Sequence, residues 1–231
     1  MDIEALRKIP KDRILVFDLE HTGETKPEIL QFSAVWATGR EAFNMYVRPT
    51  KAKSWDRTVA IHHITPEMVK DAPTIKDIRR YLQNIFLKAK VIVGFSTDDD
   101  FRVLRINRFF MPKGNKHIHI DISKPFNDLY GDKVEQGKKY NCKSLKTCAD
   151  YYGYHGDEWH NSLADAFATA MCFDKMLANG DLAYVAKNKK PGKEKTISMQ
   201  PKMKGSKANR KKKQEGRRQT NKRMAKKPIA C

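Results

Sequence analysis

Two carboxylates, Asp18 and Glu20, stand two residues apart where a predicted strand ends. Because side chains alternate along a strand, both carboxylates point to the same face. Carboxylates held side by side repel each other unless a cation lies between them. Hard oxygen ligands of this kind suit Mg²⁺ or Mn²⁺. The pair therefore fits a metal site, although the same pattern also occurs at ordinary solvated strand ends.

A third acid, Asp100, opens a predicted helix that follows a buried strand. Ligand sites of open sheets gather at strand ends, so this position suits a further metal ligand. Asp98 and Asp99 precede it, and the helix macrodipole also favours acidic residues at a helix N-terminus. Ligand and capping roles therefore both stay open for these three acids.

His160 and Asp165 lie at the start of another predicted helix. On a continuous helix, residues five apart diverge by about 140°. If the helix begins near residue 161 or 162, His160 lies in the approach and can swing toward a site that Asp165 helps to build. A histidine before a helix is otherwise an ordinary surface residue.

Hydrophobic patterning predicts the elements that position these residues. An apolar run that ends in charge indicates a buried central strand, and two further strands complete an antiparallel meander. Alternating helices and strands follow. The predicted strands are 13–19, 27–38, 41–48, 91–95 and 117–122, and the predicted helices are 74–88, 97–110, 141–152 and 162–177. This order predicts an α/β fold, a mixed sheet flanked by helices.

The positive charge is concentrated at the C-terminal end. The 231 residues carry 46 Lys and Arg against 27 Asp and Glu, a net charge of +19. Residues 186–231 hold 18 basic and two acidic residues, a net of +16, which leaves +3 for residues 1–185. Because the tail has few large apolar side chains, we expect it to be disordered when free and the domain to span 1–185. The tail suits nucleic-acid contact, with a solubilising tail or a nuclear-import signal as alternatives.

The composition excludes several other classes. No apolar run approaches the roughly 18–20 residues that span a bilayer, and the charged N-terminus lacks a secretory signal. Four cysteines in a chain of this length do not indicate a disulfide framework. We therefore expect a cytoplasmic protein with no membrane partner, and in a eukaryote the nucleus stays open as an alternative location.

Taken in order, the acidic residues and the histidine resemble the three motifs of the DEDDh 3′–5′ exonucleases. Ribonuclease T, oligoribonuclease and the proofreading epsilon subunit of bacterial replicative polymerases are members of this type. The residues that carry the resemblance are Asp18, Leu19 and Glu20 in the first motif, Asp100 in the second, and His160 and Asp165, spaced H-x4-D, in the third. Residues 61–65 (IHHIT) and 120–122 (IDI) also resemble family segments, and the resemblance spans residues 14–177.

The resemblance implies a ribonuclease H-like fold and hydrolysis of the terminal phosphodiester, which releases nucleoside 5′-monophosphates. It implies that two Mg²⁺ or Mn²⁺ ions are held by Asp18, Glu20, Asp100 and Asp165. His160 becomes the general base, a role that suits an imidazole near neutral pH. The residues expected at the terminal nucleotide are Leu19, Thr22 and His62. The implied partners are a nucleic acid with a free 3′ end, DNA being favoured, and a polymerase or other replication or repair protein.

Some positions depart from the family pattern D-x-E-T-T-G and its neighbours. His21 replaces the first Thr, His63 replaces a usual Gly, and Asp99 stands where many members have an aromatic residue. Phe95 and Ser96 replace a common His-Asn pair. These departures bear on substrate preference rather than on the metal site.

Three alternative functions stay open at this point. The chain can be an exoribonuclease of the same fold, or a catalytically silent nucleic-acid-binding module. A zinc site is the third, with Cys142, Cys148, His155 and His160 as ligands. Their spacing matches no common zinc knuckle, and Cys148 lies on an apolar helix face, which favours a core thiol.

Overall fold

The computed structural model describes residues 2–23, 25–111, 116–133 and 143–185. The predicted basic tail, residues 186–231, lies outside the described residues, as do the first two residues of the predicted helix 141–152. No helix of the described part is long and apolar enough to cross a membrane.

Five strands form one sheet in the described residues, with the order β3-β2-β1-β4-β5. The strands are β1 (Ile14–His21), β2 (Ile29–Trp36), β3 (Glu41–Tyr46), β4 (Val91–Gly94) and β5 (Ile118–Asp121). The α-helices are α1 (Ile3–Arg7), α2 (Asp56–His62), α3 (Pro66–Val69), α4 (Ile75–Phe86), α5 (Asp98–Ile106), α6 (Ser123–Lys133), α7 (Leu145–Tyr151) and α8 (Ser162–Asn179).

The sheet is mixed, as predicted. β1 pairs antiparallel with β2, and β2 pairs antiparallel with β3. On its other side β1 pairs parallel with β4, which pairs parallel with β5. The C-terminal ends of β1, β4 and β5 therefore meet at one edge of the sheet. The predicted ribonuclease H-like mixed sheet flanked by helices is confirmed.

Alternation along β1 separates two hydrophobic cores. Leu15 and Phe17 pack on the face covered by α4 and α5, where phenylalanines meet edge to face. Ile14 and Val16 pack on the opposite face, against α8. Asp18 continues this second set, so the position of the carboxylate follows directly from the strand period.

Several elements differ from the sequence prediction. Helices α1, α2, α3 and α6 were not predicted, because the first three are shorter than two full turns and α6 contains Pro125 and Gly131, which weaken its helical pattern. Helix α5 ends at Ile106 instead of residue 110, and Arg108 has a left-handed backbone with φ of 57°. A residue in that conformation cannot continue a right-handed helix.

Candidate active site

Asp18 and Glu20 project from the C-terminal end of β1 toward α8. The intervening Leu19 is buried in the opposite core, which confirms that the two carboxylates share a face. Across the β1–β2 ladder, Asp18 lies opposite Ser33 and Glu20 lies opposite Gln31. Each carboxylate thus has a polar neighbour on the adjacent strand.

Asp100 reaches the same edge from the first turn of α5. The loop before α5 is tight, because a Cβ on Gly94 would lie 2.5 Å from Thr97 Cγ2 and 3.3 Å from the Phe17 carbonyl oxygen. Ser96 takes a left-handed backbone with φ of 58°, and its N–H donates to Asp121 Oδ1 over 2.9 Å. Asp121, at the end of β5, therefore fixes the turn that delivers Asp100.

His160 and Asp165 are brought together by a bend in the backbone. Helix α8 begins at Ser162, and Asn161 is its N-cap, accepting the Leu163 N–H over 3.1 Å. His160 has a φ of 60°, and its backbone N–H donates to Asp165 Oδ2 over 3.1 Å. The bend cancels the divergence that a continuous helix would impose.

The residues predicted as ligands converge on one place. Ligand atoms of Glu20, His160 and Asp165 all lie within 4.8 Å of one another, a group found by searching the described residues. Asp18 lies on the same face of β1 as Glu20, and the charge of Glu20 raises the pKa of both Asp18 and Asp100, so these two carboxyl groups are neighbours of the group. The structure therefore gathers all five residues of the predicted constellation.

Burial raises the pKa values of all four carboxyl groups, and repulsion by neighbouring acids adds to this increase in Asp18, Glu20 and Asp100. Burial, with the charge of Asp165, raises the pKa of Glu20 to about 8. Burial raises the pKa of Asp165 to about 6, opposed by the His160 N–H. The pKa of Asp18 is raised by burial and then by the charges of Asp100, Glu20 and Asp165. Burial and nearby acids, Asp99 first among them, likewise raise that of Asp100.

This donor set fits a divalent metal. Asp165 Oδ1 is buried and has no hydrogen-bond partner among the described residues, whereas buried polar atoms are normally paired. Four carboxylates with raised pKa values gain stability as anions when cations lie between them. Oxygen donors of this kind suit Mg²⁺ or Mn²⁺.

The three residues predicted at the terminal nucleotide occupy different environments. The Leu19 side chain is buried in the core on the far face of the sheet. Thr22 Oγ1 accepts the Glu28 N–H over 3.0 Å. His62, at the end of α2, is buried, and its Nδ1 accepts the Ile64 N–H over 3.0 Å. Burial lowers the pKa of His62, and the neighbouring backbone of His21 opposes that shift.

Sequence reasoning overlooked two buried polar residues that border the site, Gln31 and Ser33 in β2. They are 2% and 0% exposed, in a strand that is buried at every position. The signal in the sequence is their period of two inside an otherwise apolar run. A polar side chain at a core position needs a partner, which indicates a specific polar contact.

Of the four zinc ligands considered above, the three that lie within the described residues are not brought together. Cys148 is buried beside Cys172, and this contact together with burial raises the pKa of its thiol. His155 is exposed and pairs with Asp150, while His160 lies with the carboxylates. Cys142 lies outside the described residues. The expected core thiol at Cys148 is confirmed.

Residues 15–173 match the exonuclease family RNase_T, and the chain belongs to that family. The predicted membership in the DEDDh 3′–5′ exonucleases of the ribonuclease T superfamily is thereby confirmed. An uncharacterized exonuclease of Escherichia phage 186 is 35% identical over 101 residues, which cover 43% of this chain and 50% of the relative. The chain thus spans about half the length of that relative.

Solved structures share the fold. One describes 3′-end-specific recognition of a histone mRNA stem-loop by a 3′-exonuclease, with a TM-score of 0.56, 20% identity, and coverage of 78% of this chain and 70% of that chain. Another is the zinc-bound complex of E. coli ExoI with single-stranded DNA, with a TM-score of 0.58, 17% identity, and coverage of 72% and 40%.

Proposed function

We propose that this protein is a metal-dependent 3′–5′ exonuclease that releases nucleoside 5′-monophosphates, with DNA as the favoured substrate. The observation that carries the proposal is the cluster of four carboxylates, two buried and two partly buried, with His160 at one edge of the sheet. The unpartnered Oδ1 of Asp165 supports a metal at this place. Membership in the exonuclease family supports the reaction class.

The residues that would hold two Mg²⁺ or Mn²⁺ ions are Asp18, Glu20, Asp100 and Asp165. When bound, such ions lower the pKa of a water molecule and stabilise negative charge on phosphate oxygens. The raised pKa values of Glu20 and Asp165 mean that these groups exchange protons for metal as the site fills.

His160 is the proposed general base. Its side chain is exposed at the edge of the carboxylate cluster, while its backbone N–H anchors it to Asp165. This combination leaves the imidazole ring accessible to a water molecule and keeps its position fixed relative to the cluster. A ring nitrogen would take the proton from water as the phosphodiester is attacked.

Leu19, Thr22 and His62 are the proposed contacts of the terminal nucleotide. Because the Leu19 side chain is buried, its contribution would come from the backbone. Thr22 is held by Glu28, whose carboxylate accepts the backbone N–H groups of Thr50, Lys51 and Ala52 at 2.7–2.8 Å. This anchoring gives the edge of the site a fixed shape.

The assignment of domains is also a proposal: 1–185 as the exonuclease domain and 186–231 as a basic arm for the substrate. The family match ends at residue 173, before the basic tail begins, which supports this boundary. The arm's net charge of +16 suits attraction to phosphates.

The decisive experiment is digestion of 5′-labelled single-stranded DNA, duplex DNA and RNA with Mg²⁺, Mn²⁺ or EDTA. We expect a ladder of products shortened from the 3′ end, fastest on DNA, and no products with EDTA. Faster digestion of RNA would favour the exoribonuclease alternative. Intact substrates with Mn²⁺, together with measurable binding, would favour a silent binding module.

Asp165→Asn serves as the inactive variant, and Asp174→Asn is its matched control. Asp174 lies on the same helix, α8, but its carboxylate pairs with Lys11 on the surface. Activity that disappears in the first variant and persists in the second assigns the cleavage to this site.

A further inference from the structure

A buried polar network joins β2 and β3 to the N-terminus of α8. Strand β2 is buried along its whole length, yet it carries Gln31 and Ser33 on the face that α8 covers. Buried polar groups cost free energy unless they are hydrogen-bonded. The hydrogen-bond partners of Gln31 and Ser33 therefore show which part of the structure these two side chains hold in place.

The Gln31 carboxamide contacts both residues that follow His160. Its Oε1 accepts the backbone N–H of Ser162 over 3.2 Å. Its Nε2 donates to Asn161 Oδ1 over 3.3 Å and to Asn44 Oδ1 over 3.0 Å. One side chain of the sheet thus holds the backbone and the cap of the helix start.

Ser33 belongs to the same network but contacts different atoms. Its hydroxyl donates to Asn44 Oδ1 over 2.8 Å and lies 2.6 Å from the Ser162 hydroxyl. Ser33 is as buried as Gln31, but its described bonds reach only side chains. This difference makes Ser33 a matched comparison for Gln31.

His160 occupies a backbone conformation that needs such support. Its φ of 60° is a left-handed conformation that non-glycine residues adopt at a cost in free energy. Conformations of this kind persist where contacts with surrounding residues stabilise them, and they are concentrated at functional sites. Asp165 holds the His160 N–H, and Gln31 holds residues 161 and 162.

We infer that Gln31 is the positioning residue of His160: through Asn161 and Ser162 it fixes the left-handed bend that aims the imidazole at the carboxylate cluster. Gln31 is also the cross-strand partner of Glu20. Gln31 therefore neighbours Glu20 on strand β1 and also holds the two residues that follow His160. The kinetic consequence rests on the proposed exonuclease function, whereas the conformational consequence does not.

The test compares Gln31→Met, which keeps the volume and removes the hydrogen bonds, with Ser33→Ala in the full chain. Misplacement of a reacting group by about 1 Å costs on the order of 10²-fold in rate. We expect Gln31→Met to lower kcat on single-stranded DNA by that order with little change in KM. Ser33→Ala should leave kcat within about threefold of wild type.

NMR of the metal-free protein supplies a second measurement that needs no activity. The backbone and ring signals of His160, assigned with a His160→Asn sample, should shift or broaden in Gln31→Met and stay in place in Ser33→Ala. Should Gln31→Met not fold, Asn161→Ser keeps a good helix cap while shortening the reach to Gln31, and the same changes are expected.

Equal kcat values for the two variants, with unmoved His160 signals, would overturn the inference. A rise in KM with an unchanged kcat would also overturn the inference, because the position of the general base affects the chemical step. If wild-type protein degrades no substrate, the proposed function fails, and the His160 signals still decide whether Gln31 positions this residue.

Discussion

His21 donates its Nε2–H to Asp99 Oδ2 across 3.1 Å, joining the end of β1 to the start of α5. The Gly23 N–H donates to His21 Nδ1 over 3.2 Å, which assigns the proton of the neutral ring to Nε2. Asp99 Oδ1 accepts the Arg102 Nε–H over 2.7 Å. His21 and Asp99 are two of the positions that depart from the family pattern, and they contact each other directly beside Glu20 and Asp100.

This contact predicts that the two departures are coupled. His21→Thr and Asp99→Ala should each lower the free energy of unfolding by at most about 1 kcal/mol, because the pair is partly exposed. The double variant should cost less than the sum of the two single variants. Urea denaturation in EDTA measures the cycle. Strict additivity would show that the contact contributes nothing. Asp98→Ala serves as a control for lost surface charge in the same turn of α5, because the Asp98 carboxylate pairs with Lys124 instead of His21.

The raised carboxyl pKa values predict how stability depends on pH. In the folded metal-free protein Glu20 has a pKa of about 8 and Asp165 of about 6, above their ordinary values of 4.5 and 3.8. The folded state therefore holds protons that the unfolded chain has released, and its stability falls as pH rises from about 4 to 8. Divalent metal bound at the proposed site would replace these protons.

The corresponding measurement is the thermal midpoint at several pH values, with Mg²⁺ or Mn²⁺ and with EDTA. The metal-induced increase in Tm should be small near pH 5.5 and larger near pH 8. Asp165→Asn should reduce the increase, whereas Asp174→Asn should preserve it. An increase of equal size at every pH, or in both variants, would contradict the assignment of the site.

Replacement of His160 separates a general base from a metal ligand. His160→Asn is the suitable variant, because asparagine tolerates the left-handed backbone that this position requires. Loss of a general base typically costs 10²- to 10⁴-fold in rate. We expect kcat to fall by roughly that factor while the metal-induced Tm increase at pH 8 persists. Disappearance of the Tm increase would make His160 a ligand instead.

Truncation after residue 185 tests the proposed basic arm. The core should keep its Tm, because the packed elements that we describe all end before this residue. KM for single-stranded DNA should rise on the order of tenfold near 50 mM salt, and the difference should shrink near 200 mM as counterion release weakens. A KM that truncation leaves unchanged at low salt would exclude a role for the tail in substrate binding.

The sequence alone was enough to predict the strands of the sheet, the acidic pair on β1 and the family. The period of two along β1 was enough to place Asp18 and Glu20 on one face, because alternation is a property of any strand. The apolar runs predicted the five strands, and the ordered motifs predicted the family. These features depend on local geometry or on residue order, both of which a sequence displays.

Only the tertiary structure decided how the remaining residues meet. Gln31 lies 130 residues from Asn161, and His21 lies 78 from Asp99, so no local pattern relates the members of either pair. The left-handed turn at His160 is likewise imposed by contacts with β2 and Asp165 rather than by its own preference. The order of the motifs along the chain and the alternation of side chains along β1 were enough to predict the residues that carry the chemistry. The residues that hold them in position depend on which strands and helices pack together, and this packing is determined by the free energy of the whole fold.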